Sequence, residues 1–225
     1  NLLAVRVDNK PCASRWYPGA GIYRHVRLVR TEPVHVDDWG TYITTPLVER
    51  DRARINLRGR IVNHSGEPRE GRLVTSILDP DGVEVARADS DALYEAVTEV
   101  EQEVTVSDPH RWDVDGAALY TAVTRVMVEG EELDRQETRF GIRDLEFDAV
   151  EGCFLNGRHL KLNGVCMHHD LGALGTAVNR RAIERQLEKL KEMGCNAIRT
   201  AHNPPAPEVL ELCDEMGILV IDEAF

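Results

Sequence analysis

Period-two alternation broken by turns such as Asn63-His64-Ser65-Gly66 and Asp79-Pro80-Asp81-Gly82 fills residues 33–141, and helical stripes set between apolar runs fill residues 142–225. The first pattern predicts an all-β unit, because alternate residues of a strand face opposite sides of a sheet. Six or seven such strands in about 100 residues fit an immunoglobulin-like β-sandwich. The second pattern, β-α-β-α-β with short loops, predicts parallel strands. An open α/β sheet and a (β/α)8 TIM barrel both begin this way, and three strands do not close a barrel.

The elements follow in order. Leu2 to Val7 and Ile22 to Val29 are strand-like apolar runs, joined by the loop Ser14-Arg15-Trp16-Tyr17-Pro18-Gly19-Ala20-Gly21. In Ile55, Leu57, Gly59 and Ile61 small or apolar residues alternate with Arg54, Asn56, Arg58 and Arg60, so one face is buried. Asn63-His64-Ser65-Gly66 breaks that run. A strand from about Arg72 to Leu78 ends at Asp79-Pro80-Asp81-Gly82, a tight turn into Val83 to Ala86. Glu99 to Val106 alternates again, and Leu119 to Val128 turns back through Glu129-Gly130-Glu131 into Leu133 to Phe140. The Cys-Trp-Cys pattern of antibody domains is absent. Beyond Gly141, Leu160 to Val165 is a short strand, and Ile183, Leu187, Leu190 and Met193 make a helical stripe closed by Gly194. Cys195 to Arg199 is the next strand. Pro207 opens a helix that Gly217 closes, and Ile218 to Ile221 is the third strand.

Composition narrows the function. The chain has 225 residues, 42% apolar and 29% charged, with a net charge of −12. That balance builds a core and argues against nucleic acid or an anionic membrane as partner. No apolar run reaches the length of about 20 residues that spans a bilayer. Lysine stands only at Lys10, Lys161, Lys189 and Lys191, so 23 of the 27 basic residues are Arg. Salt adaptation and high-GC coding both produce that bias, and the sequence leaves both open. Cys12, Cys153, Cys166, Cys195 and Cys213 are odd in number with no C-x-x-C pair, which reads as reduced, mostly buried thiols. The chain begins and stops against strand-like runs, which reads as a piece of a longer protein.

Polar residues gather just past the three predicted parallel strands: His168, His169 and Asp170, then Arg199, His202 and Asn203, then Asp222 and Glu223. Ligands bind at that end of a parallel sheet. Imidazoles, a guanidinium and carboxylates in phase at one mouth suit a hydroxyl-rich ligand. A metal is the rival reading, with His168, His169, Asp170 and His202 as ligands. Adjacent histidines on an extended segment point opposite ways and no His-x-x-x-His helix exists, so no metal is expected. No Gly-rich phosphate loop is present, so no nucleotide is expected either.

Three segments carry a family resemblance. Asn196-Ala197-Ile198-Arg199-Thr200-Ala201-His202-Asn203-Pro204-Pro205, continued by Leu212-Cys213-Asp214-Glu215-Met216-Gly217-Ile218-Leu219-Val220-Ile221-Asp222-Glu223-Ala224, resembles the signature of glycoside hydrolase family 2, which includes β-galactosidases, β-glucuronidases and β-mannosidases. Leu162-Asn163-Gly164-Val165-Cys166-Met167-His168-His169-Asp170-Leu171-Gly172 resembles that family's first barrel strand and loop. Ser14 to Arg24 resembles the end of its N-terminal sugar-binding domain.

The resemblance implies a jelly-roll tail over 1–32, the sandwich over 33–141 and the opening of the catalytic (β/α)8 barrel over 142–225. It implies retaining hydrolysis of a terminal β-linked sugar, which uses an acid/base and a nucleophile about 5–5.5 Å apart. Both glutamates are expected beyond Phe225, so this chain carries no catalytic residue and is expected to be inactive alone. By motif position His168 and His202 lie near the sugar hydroxyls and the transition state, and Arg199 steadies the nucleophile. Asp170 binds a hydroxyl, and Asn203 is a further substrate-binding candidate. Asp222 and Glu223 read as capping and salt-bridging residues, and Trp16 and Arg15 as core or interface residues. The His-His-Asp-Leu-Gly form most resembles β-galactosidase-type members. The expected partner is a β-galactoside-like carbohydrate, with no cofactor, no metal, no nucleic acid and no membrane. A homo-oligomer is compatible with this reading, and a cytoplasmic location is expected. The alternative is a non-catalytic carbohydrate-binding or structural β-sandwich module.

Overall fold

A computed structural model describes residues 2–8 and 21–223. Seven antiparallel strands come first: β1 (Val34–Val48), β2 (Arg52–Asn63), β3 (Arg69–Leu78), β4 (Glu84–Tyr94), β5 (Val97–Ser107), β6 (Tyr120–Val128) and β7 (Glu131–Phe140). They form a sheet of order β1-β2-β5 and a second of order β4-β3-β6-β7. Strand β2 shows why the sheets pack. Ala53, Ile55, Leu57 and Ile61 are at most 4% exposed, while Arg52, Arg54, Arg58 and Arg60 face solvent. At about 1.5–3 kcal/mol for each fully buried large aliphatic side chain, that alternation dictates which face turns inward. Gly59 occupies an inward position because a Cβ there would lie 2.8 Å from Leu73 Cδ2 of the facing sheet.

The turn after β3 forms as its residues require. Asp79 Oδ1 accepts the amides of Asp81 and Val83, both at 2.9 Å, and Gly82 takes φ 82°.

Beyond the sandwich lies a small antiparallel sheet of order β10-β9-β8: β8 (Leu145–Asp148), β9 (Gly152–Leu155) and β10 (Arg158–His159). Then come β11 (Gly164–Met167), α1 (Arg180–Glu192), β12 (Ala197–Thr200), α2 (Pro207–Met216) and β13 (Leu219–Ile221). The strands pair in parallel with β12 in the middle. Asn179 caps α1 by accepting the Ala182 amide at 3.0 Å, an arrangement worth about 1 kcal/mol. Pro207 opens α2, and Gly217 ends it in the left-handed region at φ 70°.

Several expectations need correction. Leu2 to Val7 and Ile22 to Val29 form no strand. Their apolar side chains stay exposed, with Leu2 at 95% and Leu28 at 99%. A strand needs a neighbouring strand to pair its amides and carbonyls, and none of the described strands pairs with these runs. The loop from Ser14 to Ala20 lies outside the described residues. Leu160 to Val165 is displaced: the strand is β11, Gly164–Met167. Asn163 and Gly164 set its start. The Asn163 carbonyl accepts the amides of Asn196 and Ala197, and a Cβ on Gly164 would meet the Ala197 carbonyl at 2.3 Å. Strand β1 was not foreseen, because four residues, Asp37 to Gly40, oppose only Arg60 and break the period of two. At the centre of this bulge Trp39 has φ 55° and is 89% exposed.

Trp112 joins the sandwich to the α/β segment. It is 2% exposed and clusters with Val114, Leu155, Leu160, Ala197 and Leu219. Its indole Nε1 donates to the Asp214 carbonyl at 2.8 Å, and the Arg143 guanidinium sits 4.8 Å over its ring. Replacing Trp112 with Ala is expected to cost about 3–5 kcal/mol, read from urea denaturation. Gly217→Ala is expected to cost more than about 1 kcal/mol in the same measurement. There the new Cβ would meet the Val114 carbonyl at 2.6 Å, on a residue already at positive φ.

Candidate functional site

Parallel pairing brings three loops to one end of the β11-β12-β13 sheet. Its register sets Cys166 beside Arg199, Met167 beside Thr200, and Arg199 beside Ile221. The residues just past each strand end therefore converge.

Glu223, two residues past β13, is the acceptor they share. Its Oε2 takes the His202 backbone amide at 3.1 Å and the Arg199 guanidinium at 2.5 Å. Its Oε1 faces His202 Nδ1 at 3.2 Å. Thr200 Oγ1 accepts the Glu223 amide at 3.0 Å and donates to Asp222 Oδ1 at 3.1 Å. The His202 amide, its imidazole and the Arg199 charge hold the Glu223 carboxyl below its ordinary range. Glu223 thus stays ionised and is a poor proton donor. The expected salt-bridging role is the one its geometry displays.

The other residues fall into two groups. The His168 ring meets the His202 ring edge-on, with centroids 5.6 Å apart. With Nδ1 of His202 directed at a carboxylate, Nε2 is the nitrogen turned elsewhere. Arg199 also donates to Cys166 Sγ at 3.3 Å, and this thiol and Glu223 raise its pKa further. His168, Arg199 and His202 are therefore brought together. Asp170 is instead drawn to its own turn, where Oδ1 accepts the Gly172 amide at 2.8 Å and its carbonyl accepts Gln186 Nε2 at 2.8 Å. Asn203 is exposed beside His202.

Two features went unforeseen. His169 lies against the loop after β12, facing the carbonyls of Asn203 and Pro204, and burial and the Arg24 charge hold its pKa low. Arg24 donates to the Pro204 carbonyl at 2.5 Å across 180 positions of sequence. No local spacing signals such a contact. Thr200 and Glu223 did carry a signal, since both sit at the C-terminal ends of predicted strands.

A cavity of about 50 Å³ lies behind His168 and His169, against Leu171, Val178, Ile183 and Val209. That volume has room for a few waters at most and is too small for a sugar ring. A larger hollow of about 670 Å³ lies on the outer face of β3, β4 and β6. Its arginines are paired, Arg72 with Asp91, Arg87 with Asp89 and Arg125 with Glu132, so it lacks the convergent chemistry of the strand ends. Among the described residues no group of three or more His, Cys, Asp or Glu is placed to hold a metal ion.

A carboxyl whose folded pKa is depressed stabilises the fold above its unfolded pKa, and that stability is lost as pH falls through the folded value. Glu223→Gln is therefore expected to lower Tm near neutral pH. The gap to the parent should close below about pH 4, in thermal melts taken from pH 7 to pH 3.

Over its full length the chain is 54% identical to the beta-galactosidase BoGH2A of Bacteroides ovatus, covering 27% of that protein. It is 35% identical over its full length to a putative beta-glucuronidase of Formosa agariphila, covering 21% of it. The chain thus spans about a quarter of the length of these relatives. A crystal structure of a glycosyl hydrolase family 2 member from Bacteroides cellulosilyticus superposes with a TM-score of 0.91 at 40% identity, over 94% of this chain and 28% of that one. Residues 34–143 match the profile of glycosyl hydrolases family 2, and residues 149–225 match the TIM barrel domain of the same family. With a sandwich and the start of a TIM barrel both matched in order, the chain belongs to glycosyl hydrolases family 2.

Proposed function

We propose that this chain is the sandwich and first barrel portion of a retaining β-glycosidase acting on terminal β-linked sugars, with a β-galactoside as substrate. The observation that carries the reading is the convergence of His168, Arg199 and His202 at the C-terminal ends of adjacent parallel strands. In a barrel that end is where substrates bind. The higher identity to a beta-galactosidase than to a beta-glucuronidase supports the choice of sugar.

In this reading His168 and the Nε2 side of His202 meet sugar hydroxyls, and Arg199 uses donors left over from Glu223 to steady a carboxylate nucleophile. Asp170 and Asn203 contribute hydroxyl contacts at the rim. The acid/base and the nucleophile come from barrel strands that follow Phe225. Glu223 is neither, because its motif position matches neither glutamate, and its carboxylate serves instead to hold Arg199 and His202.

The test is hydrolysis of a panel of nitrophenyl β-glycosides by this chain and by the full-length protein. The expected outcome is hydrolysis of the β-galactoside by the full-length protein and none by the 225-residue chain. His202→Ala in the full-length protein should lower kcat/KM by about 10²-fold or more. Hydrolysis by the chain alone would defeat the assignment of the catalytic pair. Inactivity of both on every sugar would leave the non-catalytic module as the reading.

A further inference from the structure

The segment before the sandwich does not hang free. Residues 23–27 cross the α/β segment and are held at three points. The Val178 amide donates to the Tyr23 carbonyl at 3.4 Å, just ahead of α1. The Arg24 guanidinium donates to the Pro204 carbonyl at 2.5 Å, in the loop after β12. His25 and Arg27 approach Glu208, on the first turn of α2, at 3.4 and 3.7 Å. Glu208 is a mostly buried carboxylate, so the contact at α2 is a shielded one.

At the middle point the strap meets the site. The Tyr23 ring stands edge-on to His169 with centroids 5.9 Å apart, and Arg24 lies 5.3 Å from the Tyr23 ring centroid. His169 faces the carbonyls of Asn203 and Pro204, so the Pro204 carbonyl is approached from both sides. His202, immediately before Asn203, is held at φ 69°, a conformation costly for any residue with a Cβ.

We propose that Arg24 is a positioning residue of the candidate active site, locking the loop after β12 against His169 so that His202 and Asn203 face the substrate. The inference rests on the glycosidase reading for what the loop does, and on contacts alone for how it is held. Arg24 needs to touch no sugar. It fixes the Pro204 carbonyl, and the loop between that carbonyl and β12 is then held in the left-handed turn at His202. A guanidinium fits this task because its fork reaches a carbonyl while its flat face lies on an aromatic ring.

The test has two readouts. In the 225-residue chain, Arg24→Gln should move the His202 and Asn203 amide resonances. It should also raise the pKa of His169, since a cation beside that imidazole is gone. Arg24→Lys keeps the charge, so the His169 titration should stay near the parent's, which also controls for loss of folding. In the full-length protein, Arg24→Gln should lower kcat/KM by about ten- to a hundredfold, mainly through kcat, with partial rescue by Arg24→Lys. Unmoved His202 and Asn203 resonances would overturn the proposal whatever the activity. So would moved resonances with kcat/KM within twofold of the parent. A full-length protein inactive on every sugar would sink the glycosidase reading, while the resonances would still decide whether Arg24 sets the loop.

Discussion

The carboxylate of Glu223 is the point on which the α/β end of the molecule turns. It ties β13 to β12 through the His202 amide and imidazole, and it pairs with the Arg199 guanidinium at the mouth. Without that carboxylate, Arg199 and His202 would lose the acceptor that they share. With it, the cluster of His168, Arg199 and His202 is held in fixed directions before any ligand arrives. Parallel pairing makes this possible, because only a strand flanked on both sides, as β12 is, places its terminal residues against both neighbours.

Much of this was legible in the residues. The inward face of β2 follows from Ala53, Ile55, Leu57 and Ile61 without reference to any partner, since burial of one face is the only way to satisfy that alternation. The limits of α2 follow from Pro207 and Gly217, which are chemically suited to a first turn and a left-handed end. The site residues at the strand ends were visible for a similar reason: a short parallel strand fixes where its own C-terminus points.

What was hidden was hidden by physics that a local pattern does not encode. Strand β4 runs to Tyr94, well past Ala86, because its inward residues include small alanines and its outward ones are Asp89 and Asp91, a weak apolar signal at a sheet edge. The small sheet β8-β9-β10 consists of runs of two to four residues, too short for a period to emerge. Arg24 and Trp112 act across long sequence separations, one on the loop after β12 and the other on the end of α2. Their importance is set entirely by the fold that surrounds them.

The bulge at Asp37–Gly40 bears on how this protein behaves in crowded solution. Strand β1 is one of the two outer strands of its sheet, and a long outer strand offers unpaired backbone to any passing chain. Here three surplus residues bend the edge, Asp37 is clamped to Arg60 at 2.7 Å, and Trp39 projects where a flat ribbon would have to lie. An incoming strand finds no continuous row of amides to copy. The kink that blurred the sequence pattern is thus also a guard against edge-to-edge self-association.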